Sequence, residues 1–216
     1  MKPRLVFALF GAALIISSPA AAQPKEPVAR VDVSGTIGWL LVDKDGEAYA
    51  NHWHSSLYGG FGGGYYWTEH LKTEIDFGVG EEAGSYGGRR FDFNGLPGVV
   101  GVESRFSRRT LGIGQHYQFF RNQWFHPHIG GGVLVVWEEI EETLDSAIVY
   151  EPNRPPRVVA PARIEPRRTE QSAKAFVASG FKGYLNQRTF FRMDVRVAFD
   201  KGVDETLLRI GFGVDF

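Results

Sequence analysis

The sequence predicts an all-β fold, an eight-stranded antiparallel up-and-down β-barrel. Three observations predict it. Apolar and polar residues alternate in eight segments of strand length, which is the periodicity of a strand with two different faces. The connections between these segments are alternately short and long. Glycine (27 residues) and aromatic residues (14%) are abundant, whereas methionine (2 residues) is scarce, and this composition favours strands over helices.

The first 22 residues have the three parts of a secretory signal peptide. Lys2 and Arg4 form a basic start, residues 5–16 an apolar run, and residues 20–22 a small-residue cleavage site. The run is too short to be a membrane-spanning helix. We therefore expect an exported protein whose single domain, residues 23–216, is the barrel.

Composition excludes several other classes of protein. Cysteine is absent, which excludes a disulfide-stapled scaffold. The 24 basic and 25 acidic residues nearly cancel, so the chain lacks the basic footprint of a nucleic-acid-binding protein. After the signal peptide no segment has the ~18 consecutive apolar residues of a transmembrane helix.

The eight predicted strands all alternate between an apolar parity and a polar or small parity. In order, they cover residues 32–41, 57–67, 71–80, 110–119, 125–138, 174–185, 191–200 and 208–216. Representative residues of the apolar parity, in the same order, are Ile37, Phe61, Ile75, Ile113, Val133, Val177, Val195 and Ile210. Gln115 and Ser179 depart from this pattern because they are polar residues on the apolar face.

The lengths of the connections indicate how the strands are joined. Short turns are expected at residues 68–70, 121–124, 186–187 and 201–202, and long loops at residues 43–54, 81–107 and 139–171. Tight turns at one end and long loops at the other are typical of an up-and-down transmembrane barrel. An even number of strands puts both termini at the short-turn end.

The polar face of these strands carries charged residues and glycines together. Its charged residues are Asp32, Lys72, Glu74, Asp76, Glu138, Lys174, Lys182, Arg192, Asp194, Arg196, Asp200, Arg209 and Asp215. An eight-stranded barrel is barely wide enough for its own side chains, so long charged groups inside it need glycine neighbours. On a solvent face the same glycines would only weaken the strands.

The apolar face has its aromatic residues near the ends of the segments, as in Trp39, Trp67 and Trp137. Aromatic residues at both edges of an apolar band form the girdles of a membrane protein. We therefore predict a transmembrane barrel with the polar face inside. The alternative is a soluble barrel of the lipocalin type, with the apolar face inside.

The chain resembles the small outer-membrane barrels of Gram-negative bacteria, namely the OmpA-type transmembrane domain and its OmpX and OmpW relatives. The likeness is carried by residues 192–196, 209–216 and 128–133. It implies an outer-membrane location with both termini in the periplasm, and contact with outer-membrane lipids and lipopolysaccharide. It also implies that the aromatic Phe216 is the signal read by the barrel-assembly machinery.

The turn at residues 201–202 predicts which interior charges face each other. It sets Asp194 opposite Arg209, whereas a slip by two residues would set Arg196 opposite Arg209, an unfavourable like pair. The expected interior is an ion-pair network that plugs the barrel. The alternative is a small pore for ions or slim solutes.

Three histidines face the predicted interior, His116, His126 and His128. A turn centred on Asn122 would set His116 opposite His128, and three imidazoles could then bind Zn²⁺. We expect them instead to be polar core groups, with no metal and no cofactor.

The remaining alternative is an outer-membrane lipid-modifying enzyme with a Ser-His-acid arrangement facing the lipid. Ser179 is the one mid-strand serine on the lipid face, and its strand has no histidine. We therefore predict no enzyme. The expected function is structural or surface-interacting, by a monomer, and the sequence does not identify a partner for the long loops.

Overall fold

The computed structural model describes residues 30–43, 53–119 and 124–216. Its strands are β1 (Val31–Asp43), β2 (Trp53–Tyr66), β3 (Leu71–Phe93), β4 (Leu96–Gln118), β5 (Phe125–Leu144), β6 (Ala147–Val149), β7 (Arg157–Ala160), β8 (Arg163–Ile164), β9 (Arg168–Tyr184), β10 (Thr189–Phe199) and β11 (Val203–Asp215). Within these residues no helix has the length and apolar character needed to cross a membrane. The predicted signal peptide lies outside the described residues.

Eight of these strands form a closed antiparallel barrel, which confirms the predicted fold class. Each strand pairs with the next in the order β1, β2, β3, β4, β5, β9, β10 and β11. The ring closes where β11 pairs with β1 along the register Asp32↔Asp215 to Val42↔Glu205. Closure leaves the barrel without an unpaired edge.

The apolar residues of the strands face outwards and the charged residues face inwards, as the sequence predicts. The outward side chains are apolar and well exposed on the isolated chain, with Ile37, Phe61 and Ile75 exposed by 66%, 66% and 52%. The inward charged side chains, such as Asp32 and Arg196, are exposed by 2% and 1%. Only a surrounding bilayer covers an apolar band of this kind on all sides of a barrel.

Side-chain caps hold the turns at one end of the barrel. The Thr68 hydroxyl accepts hydrogen bonds from the amides of His70 (3.2 Å) and Leu71 (3.0 Å) before β3. The Asn186 side chain accepts bonds from the amides of Arg188 (3.0 Å) and Thr189 (2.8 Å) before β10. This end, where the chain enters at Arg30 and leaves at Phe216, is called the short-turn end.

The prediction of a long loop at residues 81–107 is wrong. β3 and β4 continue beyond the barrel as a hairpin that turns at Asn94 and Gly95, both with positive φ (54° and 82°). An Asn-Gly pair in this conformation is the preferred two-residue hairpin turn. A bulge between Gly80 and Ala83 separates the hairpin extension from the barrel part of β3.

The expected loop at residues 139–171 is also largely ordered into strands. β5 continues to Leu144 and β9 begins at Arg168. Between them, β6 pairs with the hairpin part of β4, β8 pairs with the end of β5, and β7 pairs with β6. The barrel therefore carries a folded β-structure at the end that we call the hairpin end. Most of the predicted loop at residues 43–54 lies outside the described residues.

Candidate functional site in the barrel interior

Ion pairs follow one another through the lumen from the short-turn end. Lys182 Nζ lies 3.6 Å from Asp215 Oδ1 and also pairs with Asp32. On the other side of Asp32, Lys72 Nζ lies 3.0 Å from its Oδ2 and pairs in turn with Glu74. Four strands, β11, β9, β1 and β3, are thus connected by consecutive salt bridges.

The series continues from Glu74 towards the middle of the barrel. Arg192 Nη1 lies 3.0 Å from Glu74 Oε1, and Arg192 Nη2 lies 2.9 Å from Asp194 Oδ2. Asp194 also accepts a 2.7 Å hydrogen bond from Arg209 Nε. Asp194 and Arg209 are register partners, as the position of the turn at residues 201–202 predicts.

Asp76 is the last acid of the series, and it accepts hydrogen bonds from two arginines. Arg209 Nη1 lies 3.1 Å and Arg196 Nη1 2.8 Å from Asp76 Oδ1. The planar face of Arg196 lies 5.4 Å from the ring centre of Phe176, at cation–π distance. Asp76 is therefore the acid that joins Arg196 to the rest of the interior charges.

We call these ten linked residues the ionic chain. In order they are Asp215, Lys182, Asp32, Lys72, Glu74, Arg192, Asp194, Arg209, Asp76 and Arg196. The sign of the charge alternates at every step, and the five acids balance the five bases. Each of the ten residues is no more than 6% exposed. Because an unpaired buried charge is strongly unfavourable, this alternation is what makes so many ions compatible with a narrow lumen.

Uncharged donors and acceptors complete the short-turn end of the ionic chain. The Tyr66 hydroxyl donates to Asp32 Oδ2 at 3.0 Å and accepts from Lys182 Nζ at 2.6 Å. Gln118 Nε2 donates to the same hydroxyl at 3.1 Å, and the Tyr184 hydroxyl donates to Asp215. These bonds hold the lysine and carboxylate groups in fixed positions.

Glycines give the charged side chains the room that the sequence predicts they need. A Cβ at Gly64 would lie 2.5 Å from Lys72 Cδ and 2.6 Å from Asp32 Oδ1. A Cβ at Gly112 would overlap the carboxylate of Asp76. Both distances are below normal van der Waals contact, so these positions accept no larger residue without a shift of the ionic chain.

Three of the charged residues assigned to the interior lie outside the ionic chain. Lys174 is partly buried at the hairpin end and pairs with Asp204. Glu138 is buried there as well, opposite Arg108 in the β4–β5 register. Asp200 is exposed in the turn after β10, so its predicted inward position is wrong.

One buried ion pair outside the ionic chain was not predicted from the sequence. Arg108 Nη2 lies 2.6 Å from Glu205 Oε2, and these side chains are 2% and 1% exposed. Arg108 directly follows the region interpreted as a loop, and Glu205 precedes the predicted start of the last strand. The alternation nevertheless indicates an inward position for both residues, since Arg108 has the parity of the inward Gly112 and Glu205 that of the inward Arg209.

Buried apolar residues inside the barrel lie beside Arg196, the last residue of the ionic chain, and beside Glu205, and we call them the apolar layer. It consists of the buried residues Leu40, Val42, Tyr58, Leu134, Val136, Phe176, Ala178, Ala198 and Leu207. Tyr58 and Ala178 have the parity predicted to face inwards, but an apolar layer on that face was not predicted. The lumen is thus ionic at the short-turn end, whereas further along it combines the apolar layer with the Arg108–Glu205 pair.

A substitution at Gly78 is expected to disturb the packing of Tyr58 in the apolar layer. The Tyr58 ring lies over Gly78, and a Cβ at Gly78 would overlap it. We expect Gly78→Ala to lower the free energy of unfolding by about 1–3 kcal/mol, as overpacking does. Urea titration of the protein in vesicles measures this. The double variant Gly78→Ala/Tyr58→Leu should recover part of the loss, and no recovery would contradict the proposed contact.

The histidines do not have the pairing that a turn centred on Asn122 would give. His116 lies opposite Gly130, and His128 lies opposite Gln118, so the β4–β5 register differs by two residues from the one a turn centred on Asn122 would give. The rings of His116 and His128 are still near each other, with centroids 5.5 Å apart, whereas His126 packs against Tyr184 at 4.9 Å. Among the described residues, no three His, Cys, Asp or Glu side chains come together as a possible metal site.

Two further predicted residues lie on the lipid face. The Ser179 hydroxyl donates to the main-chain carbonyl of His128 at 3.5 Å rather than to an imidazole. Phe216 is 66% exposed, and its main chain bonds to Arg30 and Val31 at 2.8 Å, which holds the end of the chain against β1. Its role as an assembly signal stays a prediction.

The fold and its interior define a class of protein: a membrane-spanning β-barrel with an outward apolar band and a lumen filled by side chains. Residues 9–216 match the family described as the outer membrane protein beta-barrel domain, and the chain belongs to this family. The protein is therefore an outer-membrane barrel. No curated protein is similar enough to the chain to count as a match.

Several solved structures resemble the chain at low sequence identity. The N-terminal β-barrel domain of Pseudomonas aeruginosa OprF is 12% identical, with a TM-score of 0.49 and coverage of 87% of this chain and 98% of that one. Ail, the attachment invasion locus protein of Yersinia pestis, is 11% identical, with a TM-score of 0.46 and coverage of 87% and 99%. The outer membrane protein OprG of P. aeruginosa is 15% identical, with a TM-score of 0.48 and coverage of 87% and 97%.

Proposed function

We propose that the protein is a closed, non-catalytic barrel that acts as a structural or surface-interaction component of the outer membrane. In this proposal the short-turn end faces the periplasm with both termini, and the hairpin end faces outwards. Short periplasmic turns and longer external connections are the usual arrangement in outer-membrane barrels. The partner on the outside would then meet the β3–β4 hairpin and the strands β6 to β8.

The observation that carries the proposal is the ionic chain. Its long side chains cross the lumen and pair with acids or bases on other strands, so they occupy the space through which a solute would pass. The apolar layer adds a second barrier to ions further along the lumen.

The outward surface supports contact with the lipids of the outer leaflet. Arg109 is exposed on the outward face of β4, between Val79 of β3 and Trp137 of β5 in the register. It lies at the edge of the apolar band nearest the hairpin end. A guanidinium beside an aromatic girdle is suited to a phosphate group of lipopolysaccharide.

Single-channel recording tests the closed barrel against the alternative of a small pore. The protein is folded in detergent, its folding is checked by heat-modifiable gel mobility, and it is inserted into planar bilayers. We expect no stable open steps, because the buried, paired side chains of the ionic chain cross the lumen. Reproducible open steps from protein that passes the gel check would contradict the proposal and favour the pore.

A further inference from the structure

A pocket of about 210 Å³ lies outside the barrel, in the folded β-structure of the hairpin end. Its wall is apolar and consists of Phe91, Val100, Leu144, Ala147, Ala160 and Pro161. Three charged residues complete its lining, Arg89, Arg163 and Asp145. The pocket is thus assembled from β3, β4, β5, β6, β7 and β8 and is separate from the ionic chain.

Main-chain hydrogen bonds fix the walls of this pocket. β6 is held on β4 by the register Gly98↔Val149, and β8 is held on β5 by Leu144↔Arg163. The Asp145 amide also donates to the Gly101 carbonyl at 2.8 Å. The ring of Phe91 lies directly over Gly98, where a Cβ would overlap it. The space is therefore bounded by paired strands rather than by a single surface loop.

The volume and the walls of the pocket indicate the size and the apolar character of the ligand that would fit it. An apolar cavity of about 150 Å³ is sufficient for benzene, whereas pockets for drug-sized ligands usually exceed about 300 Å³. A volume of about 210 Å³ therefore fits one ring with a small substituent. Walls formed by phenyl, aliphatic and proline side chains favour an apolar ring over a sugar or a polar peptide.

The charged residues of the pocket indicate the sign of the charge that the substituent on the ligand ring would carry. Arg89 and Arg163 keep 43% and 64% of their side chains exposed, although Glu142 lies 3.7 Å from Arg89 and Glu165 lies 2.8 Å from Arg163. Each guanidinium carries five N–H donors, so one carboxylate neighbour leaves further donors for a second.

The acidic groups near the pocket already have donors of their own. Asp145 accepts a 2.7 Å hydrogen bond from the Tyr86 hydroxyl, and Glu142 also lies 3.5 Å from Arg168. Their charge is therefore partly compensated, while each of the two lining arginines has more N–H donors than the carboxylate beside it can use. We infer that the pocket binds a small monocyclic aromatic carboxylate, with its ring against the apolar wall and its carboxylate on Arg89 or Arg163.

Two probes with the same ring and opposite charge test this inference. The protein comprising residues 23–216 is isotope-labelled, folded into nanodiscs and titrated with benzoate or with benzylamine. Backbone amide shifts at Val100, Ala147 and Ala160 report binding in the pocket itself, apart from any partition of the probe into lipid. We expect saturable shifts with benzoate in the sub-millimolar to millimolar range, as suits a ligand of about nine non-hydrogen atoms, and at least tenfold weaker binding of benzylamine.

Matched variants distinguish benzoate binding in the pocket from non-specific effects of the probe. Ala160→Leu fills the pocket and should abolish the benzoate shifts, whereas Ala162→Leu, two residues away and outside the lining, should leave them unchanged. Ala147→Leu serves as a second filling variant if Ala160→Leu does not fold. Arg89→Gln/Arg163→Gln should weaken benzoate at least fivefold. Equal binding of benzylamine, or unchanged benzoate binding in a folded filling variant, would overturn the inference.

Discussion

Replacing Asp76 with asparagine is expected to lower the free energy of unfolding by about 3–5 kcal/mol, the usual cost of leaving a buried charge without its partner. Among the described residues, Asp76 is the acid within ion-pair distance of Arg196, at 2.8 Å. The change therefore leaves a guanidinium that is 1% exposed without a counter-charge. Urea unfolding in lipid vesicles, followed by tryptophan fluorescence, measures the effect.

The matched variant is Arg196→Met, and its expected effect is smaller. Asp76 keeps Arg209 at 3.1 Å when Arg196 is removed, and methionine fills similar space beside Phe176. We expect a loss of at most about 1.5 kcal/mol. The double variant should be more stable than Asp76→Asn alone by about 1–3 kcal/mol, because it removes the unpaired charge. Equal losses for the two single variants would show that the ionic chain does not work as a series of dependent pairs.

Placing an arginine in the middle of the outward apolar band is expected to cost about 2–4 kcal/mol, because the charge then lies at bilayer depth. Val195 on β10 is the position chosen, since it faces outwards between Met193 and Val197 and is 40% exposed on the isolated chain. The same vesicle unfolding assay compares Val195→Arg with the wild-type protein.

The control for Val195→Arg is Thr169→Arg. Thr169 also faces outwards but lies at the hairpin end of β9, opposite Glu139, where the surface is already charged. Surface substitutions of this kind change stability by no more than about 0.5 kcal/mol. If Val195→Arg were as stable as Thr169→Arg, the apolar face would not be the lipid face.

The alternation of side chains was sufficient to predict the strands and their two faces, and the glycines and aromatic residues then predicted which face lies inside. A strand turns every second residue to the same side, so Arg192, Asp194 and Arg196 had to share the interior once Val195 faced the lipid. The same rule does not require every inward residue to be polar. Leu40, Leu134 and Phe176 are inward because of their parity, and reliance on polarity alone missed the apolar layer.

The extended β3–β4 hairpin was missed because a bulge reverses the alternation. Even-numbered residues face inwards in β3 up to Gly80, but beyond the bulge the main chain of Ala83 pairs with the buried Phe106, and the odd-numbered Gly87 is buried. One extra residue in a strand exchanges its two faces. A fixed period of two therefore breaks down at Gly80, and the residues that follow look like a loop.

The histidine register was left open in the sequence for a different reason. A slip of two residues returns every side chain to the same face, so the alternation cannot distinguish His116 opposite His128 from His116 opposite Gly130. The turn alone decides between them. For β10 and β11 the short turn at Lys201 and Gly202 gave the correct register, since a like-charged pair disfavoured the alternative.

Nuclear Overhauser contacts between lipid acyl chains and protein methyl groups test the central claim most directly. The protein is methyl-labelled at Ile, Leu and Val, otherwise deuterated, and studied in nanodiscs with protonated lipid. We predict acyl contacts for the outward Ile37, Ile75, Ile113 and Ile210 and none for the inward Leu40, Leu134 and Leu207. Acyl contacts at the three inward leucines, with none at the four isoleucines, would contradict the account of the two faces.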